Sequence, residues 1–240
     1  MINISFIIPT LNEEKYLSHL LAQFKQLDNS IKYEIIVSDG GSVDKTCNIA
    51  AEFGATVLVN QVQTQTIGGS RNLGAQAALG EIYIFCDADI LFKDLCRFVK
   101  HIKLVFKDKN IVGASTTLKV FKEERTFTDC LFHFVFNNFI RLGHLINWPF
   151  ARGQCQVVRA SAFHACGGYN DSQIHAEDSS LFKKLAKIGK LKFFSQHIVL
   201  ESPRRYRRWG YMRWIFVTLL SLVGQAILHK NILKKWERVD

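Results

Sequence analysis

The stretch GGSRNLGAQAALGEIYIFCDAD (68–89) places a segment of helical period, 69–79, directly before an apolar run, 82–86, that ends in two aspartates. An apolar run of that length predicts a strand with both faces buried. Strand and helix patterns alternate in the same way from the N-terminus, which predicts βαβ units and a parallel sheet covered on both faces. The expected strands are 4–8, 34–37, 56–59 and 82–86, and the expected helices are 12–27, 44–53 and 69–79.

The second half of the chain is less regular. Residues 127–146 are apolar on nearly every face of a helix. We further expect a strand at 155–158, a helix from Glu177, strands near 191–194 and 198–200, and an apolar helix at the C-terminus. The chain as a whole is therefore predicted to be α/β, with a Rossmann-like, mostly parallel sheet flanked by helices and a C-terminal amphipathic or apolar helix.

Composition and cysteine usage exclude several classes of protein. The chain has 240 residues, of which 48% are hydrophobic and 22% charged, so its composition is that of a folded domain and not of a disordered chain. The N-terminus MINISFIIPT has no basic segment and is interpreted as a strand, so we expect no secretory signal and a cytosolic protein. The six cysteines show no CxxC spacing, which favours buried free thiols in a reducing compartment over a zinc site.

The net charge of +10 is concentrated near the C-terminus. Residues 1–182 hold 17 Lys and Arg against 18 Asp and Glu, whereas residues 183–240 hold 14 against 3. A neutral body with a basic tail argues against a nucleic-acid partner and for a local anionic target. The tail also contains an apolar run, 214–228, which is shorter than the ~20 residues of a membrane span. Its basic flanks favour a helix at an anionic membrane surface, with a buried packing helix as the alternative.

Ligands of open parallel sheets bind beyond the carboxyl ends of the strands, so the residues that follow each strand are the candidates. Thr10 and Glu13, after the first strand, have the spacing of a helix capping box, which explains them without a ligand. After the second strand, Asp44 suits a helix cap, whereas Asp39 has no capping duty and could accept from a nucleobase N–H or a ribose hydroxyl. Arg71 follows a pair of glycines and either approaches a phosphate or covers the sheet edge.

Two acidic pairs are the clearest candidates for chemistry. Asp87 and Asp89 directly follow a buried strand, where two carboxylates are costly unless a positive group meets them. Hard oxygen ligands suit Mg²⁺ or Mn²⁺, which would also hold substrate phosphates; the alternative is a turn that caps a helix near Asp94. Glu177 and Asp178 begin a segment of helical period, where they either complement the helix dipole or supply a general base at the mouth of the crevice.

Six motifs follow one another along the chain: PTLNEE (9–14), VSDGGSVDKT (37–46), GGSRNLGAQAALGEIYIFCDAD (68–89), GGYND (167–171), ED (177–178) and RRYRRW (204–209). In this order they resemble the inverting nucleotide-sugar transferases of glycosyltransferase family 2, whose fold is known as GT-A. The likeness covers residues 1 to about 209. There are two departures from the family pattern: DGG replaces the common DDGS at 39–41, and Arg205 replaces the Gln of a Q-x-x-R-W signature.

The resemblance implies a role for each matching position. On the donor side, the nucleoside pocket would be lined by Pro9, Thr10 and Glu13, and Asp39 would contact the base. Arg71 would approach the base or the phosphates. Asp87, beside Ala88, would contact the ribose or the metal, and Asp89 would bind the divalent metal. On the acceptor side, the catalytic base would be Asp178 with Glu177 as its rival, and the phosphates or acceptor would be contacted by Arg205, Arg208 and Trp209.

The resemblance further implies a GT-A domain at 1–203, with a nucleotide-binding half at about 1–90 and an acceptor half at about 91–203, followed by a helical tail at 204–240. The implied function is metal-dependent, inverting transfer of a hexosyl unit from a nucleoside-diphosphate sugar to a hydroxyl or lipid-linked acceptor. The expected place is the inner face of the cytoplasmic membrane, in synthesis of an envelope polysaccharide or glycolipid. A non-catalytic, membrane-associated nucleotide-sugar-binding scaffold and a nucleotidyltransferase stay open as alternatives. A dinucleotide-dependent dehydrogenase is excluded because no G-x-G-x-x-G follows the first strand.

Overall fold

The computed structural model of the chain describes residues 3–60, 66–146 and 149–223. Its strands form one eight-stranded sheet in the order β3-β2-β1-β4-β7-β6-β8-β5. The strands are β1 (Ile4–Thr10), β2 (Tyr33–Asp39), β3 (Thr56–Val59), β4 (Ile82–Cys86), β5 (Ile90–Phe92), β6 (Ile111–Val120), β7 (Cys155–Arg159) and β8 (Lys190–Glu201). The helices are α1 (Leu17–Phe24), α2 (Thr46–Glu52), α3 (Ile67–Ala77), α4 (Leu95–Val105), α5 (Phe127–Leu145), α6 (Ala160–Ala165), α7 (Glu177–Leu185), α8 (Arg204–Trp209) and α9 (Tyr211–Val223). The predicted fold class, an α/β protein with a helix-flanked sheet, is confirmed.

The strand and helix alternation predicted for the first half is confirmed. β1 pairs in parallel with both β2 and β4, and β3 extends the sheet beside β2. Successive side chains of a strand point to opposite faces, so Phe6 and Ile84 enter one apolar cluster while Ile7 and Phe85 enter another. Because both faces are buried, ligands have access to this half at the carboxyl ends of its strands.

The first helix is shorter than the expected 12–27, because the residues before Leu17 form a loop. Asn12 has a φ of 55°, its N–H donates to Ser42 Oγ at 2.8 Å, and Val43 N–H donates to Asn12 Oδ1 at 2.9 Å. Helix α1 also begins without a side-chain cap. The capping box expected for Thr10 and Glu13 is therefore wrong, and both side chains are left for other contacts.

The second half is a mixed extension of the sheet. β7 is antiparallel to both β4 and β6, β6 is parallel to β8, and β8 is antiparallel to β5. The sequence analysis did not expect β5 or β6. In β6, Gly113 and a run of hydroxyl residues weaken the local strand pattern, yet a Cβ at Gly113 would lie only 2.9 Å from the Leu191 side chain. The two strands expected near 191–194 and 198–200 are one strand, β8, with an irregularity between Phe194 and Ile198.

The expected aromatic helix at 127–146 is confirmed as α5, and it is firmly capped. Thr126 and Asp129 form a reciprocal capping box at its N-terminus. Arg207 Nη2 donates to Asp129 Oδ2 at 2.6 Å, and the Tyr211 hydroxyl donates to Asp129 Oδ1. Burial opposes ionisation of Asp129, but these hydrogen bonds outweigh it and lower its pKa to about 2. The start of the tail is thereby fixed to α5.

Over the described residues the tail continues as helix α9, which packs on the chain through one side and exposes Met212 and Phe216 on another. Trp214 of α9 packs with Phe132 and Tyr206 in a third apolar cluster. Residues 224–240, with the second basic flank and Trp236, lie outside the described residues. Over the described ranges, no helix has the length and hydropathy of a membrane span. The predicted division of the chain at about 90 and at 203 stays a prediction.

All six cysteines carry free thiols. Only Cys86 and Cys155 are buried, whereas Cys130 is exposed, so the expectation of buried thiols is correct only in part.

Candidate active site

An open pocket lies beyond the carboxyl end of β4, bordered by α3, the start of α7, and the aromatic helices α5 and α9. Its polar wall contains Arg71, Asp87, Arg152, Glu177, Asp178 and Arg205. Its apolar wall contains Phe136, Phe139, Phe150, Trp214 and Ile215. The pocket therefore brings five residues predicted from the sequence together with aromatic residues of helices α5 and α9.

Arg71 joins the two acidic pairs. Its side chain is 1% exposed, its Nη1 donates to Glu177 at 2.9 Å, and its Nη2 donates to Asp87 at 2.9 Å. Nη2 also donates to the carbonyl of Gly153 at 3.0 Å, where a Cβ would lie 2.8 Å from the guanidinium. Arg71 is thus buried between two carboxylates, so the alternative that it covers the sheet edge is wrong. Its contact with a nucleotide stays a prediction.

Asp178 differs from its neighbour Glu177, because Glu177 is held by Arg71 and Asp178 has no salt bridge among the described residues. Helix α7 begins after Ala176, which adopts a left-handed φ of 60°, and the N–H of Ser179 donates to Asp178 Oδ1 at 2.7 Å. Burial, together with the charge of Glu177, raises the pKa of Asp178 to about 7. A pocket carboxylate with such a pKa is suited to proton transfer at neutral pH.

Asp39 organises the glycine-containing loop after β2. Both N–H groups of Gly41 and Ser42 donate to its Oδ1, at 2.9 and 2.7 Å, and the Thr10 hydroxyl donates to its Oδ2 at 2.8 Å. Gly41 has a φ of 92°, which favours glycine there. Asp39 does not cap helix α2, as expected, but it holds the loop that precedes this helix. Its contact with a nucleobase stays a prediction.

Arg204 meets two of the predicted donor-site carboxylates. Its Nη2 lies 2.9 and 3.0 Å from the two oxygens of Glu13 and 3.1 Å from Asp89 Oδ2. The sequence analysis included Arg204 in the RRYRRW motif but gave it no role. Its partner Glu13 is 191 positions away, so only the fold shows the contact.

Asp87 and Asp89 are the side chains that could hold a divalent metal. In the described part of the chain, no group of three or more His, Cys, Asp or Glu is arranged to hold a metal ion. Mg²⁺ commonly takes one or two protein carboxylates and completes its shell with phosphates and water. Each aspartate here faces an arginine, so both already neutralise positive charge. The donor set therefore fits an ion that arrives with substrate phosphates, and does not fit a site built from protein ligands alone.

The remaining predicted residues lie apart from the pocket centre. Arg205 lies on the pocket wall. Arg208 is exposed on α8, and Trp209 packs against the third apolar cluster, so neither lines the pocket. Pro9 stands beside Ser38 in the β1–β2 register, and Ala88 is buried between the two aspartates. The ligand contacts predicted for these residues stay predictions.

A buried ionic network at the pocket wall was not predicted from the sequence. Arg152 donates to Glu201 and to the Tyr206 hydroxyl, and its Nη1 lies 3.2 Å from His133 Nδ1. Burial and the charge of Arg152 lower the pKa of His133 to about 3, so this imidazole is neutral. Glu201 ends β8, so inspection of strand ends in the second half, as in the first, would have singled it out.

The chain has relatives among curated proteins. The chain is 31% identical over 136 residues to poly(ribitol-phosphate) beta-N-acetylglucosaminyltransferase TarS of Staphylococcus aureus, covering 51% of this chain and 24% of that protein. It is 26% identical over 191 residues to the succinoglycan biosynthesis protein ExoA of Rhizobium meliloti, covering 76% of this chain and 58% of that protein. The chain thus spans less than two thirds of the length of these curated relatives.

The fold is shared with solved glycosyltransferases. The mannosyltransferase PcManGT from Pyrobaculum calidifontis, in complex with GDP-Man and Mn²⁺, superposes with a TM-score of 0.71 at 20% identity, covering 99% of this chain and 66% of that one. At this identity the likeness establishes the GT-A fold alone. The sequence profile of Glycosyl transferase family 2 matches residues 5–167, which is more than half of the chain. The chain therefore belongs to glycosyltransferase family 2.

Proposed function

We propose that this chain transfers a glycosyl unit from a nucleoside-diphosphate sugar to a hydroxyl acceptor, with inversion at the anomeric carbon and Asp178 as general base. The observation that carries the proposal is Asp178 itself, a pocket carboxylate whose pKa is raised to about 7 by burial and by Glu177. Such a group is substantially ionised at neutral pH and still accepts a proton readily. The donor class is supported by the GDP-Man complex of PcManGT.

The proposed reaction is a single displacement. The acceptor oxygen forms a bond to the anomeric carbon while its proton moves to Asp178. The bond between that carbon and the diphosphate oxygen breaks, and its electron pair leaves with the nucleoside diphosphate. Attack from the face opposite the leaving group inverts the carbon. Glu177, held by Arg71, keeps the wall of the pocket in place and raises the proton affinity of Asp178.

We also propose that donor binding needs Mg²⁺ or Mn²⁺ held through Asp87 and Asp89. When bound, the ion supplies positive charge to the departing diphosphate. The Mn²⁺ in the PcManGT complex supports this proposal. Calorimetry should show that EDTA weakens donor binding and that Asp89→Ala removes most of this metal dependence. Donor affinity in the native protein that EDTA leaves unchanged would contradict it.

The acceptor is proposed to be lipid-linked, on the basis of the surface around the pocket. Helices α5 and α9, which wall the pocket, also expose large apolar side chains, among them Phe134 (68% exposed), Leu145 (72%) and Phe216 (63%). Exposed Arg141 and Arg213 lie on the same two helices. Apolar and basic side chains together favour reversible binding to an anionic membrane. The proposed location is the inner face of the cytoplasmic membrane, in assembly of an envelope glycan.

Flotation with vesicles tests the membrane proposal. The purified chain should float with anionic vesicles at low salt, and high salt should weaken binding because exposed charges are screened. Neutral vesicles are the control. If the chain does not bind anionic vesicles at low salt, the result would favour a water-soluble acceptor.

The central experiment is a thermal-shift screen against nucleoside diphosphates and nucleotide sugars, with and without Mn²⁺. The donor that gives the largest shift is then incubated with the protein and Mn²⁺, and release of nucleoside diphosphate is measured. Release that is lost in Asp178→Asn is the expected result. Donor binding with no turnover would favour the scaffold alternative, and consumption of a nucleoside triphosphate with a sugar phosphate would favour a nucleotidyltransferase.

A further inference from the structure

Arg204 makes an unusual set of contacts through one nitrogen. Its Nη2 lies within 3.1 Å of three carboxylate oxygens, two from Glu13 and one from Asp89. That nitrogen carries only two hydrogens, so the three oxygens must share them. By contrast, Arg71 distributes its contacts over two nitrogens and is almost fully enclosed. Arg204 is 21% exposed, which makes it the more easily displaced of the two arginines.

The carboxylates around Arg204 require a positive charge. The side chains of Glu13 and Asp89 are only 15% and 18% exposed, so water screens their charges poorly. Both carboxylates lie against the same guanidinium, and without it two largely buried anions would lie close together. Arg204 therefore supplies positive charge to Asp89 through a direct salt bridge.

The position of Arg204 in the chain allows it to move. It is the first residue of α8, a six-residue helix bounded by Pro203 and by Gly210, which has a φ of 76°. Its guanidinium also lies 4.9 Å from the centre of the Tyr16 ring, a cation–π contact that does not involve Asp89. A change in side-chain rotamer would release Asp89 without unfolding α8.

We propose that Arg204 is a built-in counter-ion that occupies Asp89 in the donor-free protein and competes with the divalent metal for that carboxylate. This inference rests on the metal dependence in the proposed function. Metal alone then binds weakly, because it must displace the guanidinium. Metal that arrives with a diphosphate binds well, because the phosphates supply further ligands and a new anionic partner for the released arginine. Arg204 thereby couples metal binding to the presence of donor.

The test is a titration with Mn²⁺ alone at pH 8, without nucleotide, followed by electron paramagnetic resonance of free Mn²⁺. Arg204→Gln should bind Mn²⁺ about threefold to tenfold more tightly than the native protein, because the competing cation is gone. Arg204→Lys keeps a positive charge on a single nitrogen, and Arg204 also contacts its carboxylates through a single nitrogen. The Mn²⁺ affinity of this variant should therefore stay close to that of the native protein. The control is Arg125→Gln, which removes the same charge from an exposed position and should leave Mn²⁺ affinity unchanged.

Several outcomes would overturn the inference. Equal or weaker Mn²⁺ binding by Arg204→Gln would show that Arg204 does not compete, and equal tightening by Arg125→Gln would reduce the effect to net charge. Circular dichroism confirms folding of each variant, and Arg204→Met replaces the Gln variant if that one does not fold. If none of the proteins binds Mn²⁺ even with a nucleoside diphosphate that the screen identified, the proposed metal dependence fails as well. Mn²⁺ binding with nucleotide but no difference between variants overturns only the role of Arg204.

Discussion

The two acidic pairs of the site look alike in the sequence and differ in the structure. In each pair one carboxylate is bound to Arg71, namely Asp87 after β4 and Glu177 at the start of α7. The second member of the first pair, Asp89, meets Arg204, whereas the second member of the other pair, Asp178, has no salt bridge in the described part of the chain. The difference assigns distinct tasks to residues of the same type.

A carboxylate that contacts a cationic side chain can exchange that side chain for a metal ion, as proposed for Asp89. Asp178 is buried beside another acid and forms no salt bridge among the described residues, so its pKa is raised to about 7 and it can take a proton near neutral pH. Arg71 keeps these environments apart because it neutralises one acid on each side. Four predictions probe this contrast.

The largest effect is expected at Asp178. Asp178→Asn should reduce glycosyl transfer by about 10²–10⁴, the usual range for loss of a general base, with donor affinity within a few-fold of the native value. Glu177→Gln is the matched control and should reduce glycosyl transfer less, because the glutamine keeps a hydrogen-bond acceptor for Arg71. Initial rates and calorimetric donor affinities measure both. An inactive Glu177→Gln beside an active Asp178→Asn would exchange the two roles.

The next largest effect is expected on stability. Arg71→Met removes the shared cation and leaves Asp87 and Glu177 facing each other, so the free energy of unfolding should fall by about 3–5 kcal/mol. Urea unfolding measures the loss. Arg125→Met, at an exposed position, should change the same quantity by less than about 0.5 kcal/mol. If Arg71→Met lowers the free energy of unfolding no more than Arg125→Met does, the salt bridges of Arg71 do not stabilise the fold.

The raised pKa of Asp178 makes both rate and stability depend on pH. Transfer should fall about tenfold per pH unit below the pKa of about 7, because the protonated base is inactive. Since the folded pKa lies above the ordinary value of 3.8, the contribution of Asp178 to stability is present at low pH and lost as pH rises through about 7. Asp178→Asn should therefore raise the Tm more at pH 8 than at pH 5. A Tm difference that does not vary with pH would argue against the raised pKa.

The smallest effect separates two arginines of α8. The resemblance predicts that both Arg205 and Arg208 contact phosphate or acceptor, whereas only Arg205 lines the pocket. Arg205→Ala should raise a substrate KM about threefold to tenfold, and Arg208→Ala should change it less than about twofold. Steady-state kinetics with each substrate varied in turn measures both. An equal rise in KM for the two variants would support the role that the resemblance predicts for Arg208.

Features that depend on neighbouring residues could be predicted from the sequence, whereas features that depend on contacts between distant residues could not. The buried strands of the first half and helix α5 were predictable, because apolar period is a local property. β6 was not, because its segment has a glycine and hydroxyl residues and becomes a strand by pairing with β7 and β8, which are distant in the sequence. The capping box at Thr10 failed for the same reason, since residues 42 and 43 hold Asn12 in a loop.

The sequence by itself determined strands β1 to β4, that acidic pairs follow β4 and begin α7, and that the chain resembles glycosyltransferase family 2. Those features depend on residue type and local spacing. Only the tertiary structure decided the partner of each acid, because the partners lie far away in the chain: Arg71 and Glu177 are 106 positions apart, and Arg204 and Glu13 are 191 apart. Electrostatic interaction depends on distance in space and on burial, and a sequence pattern specifies neither over such separations.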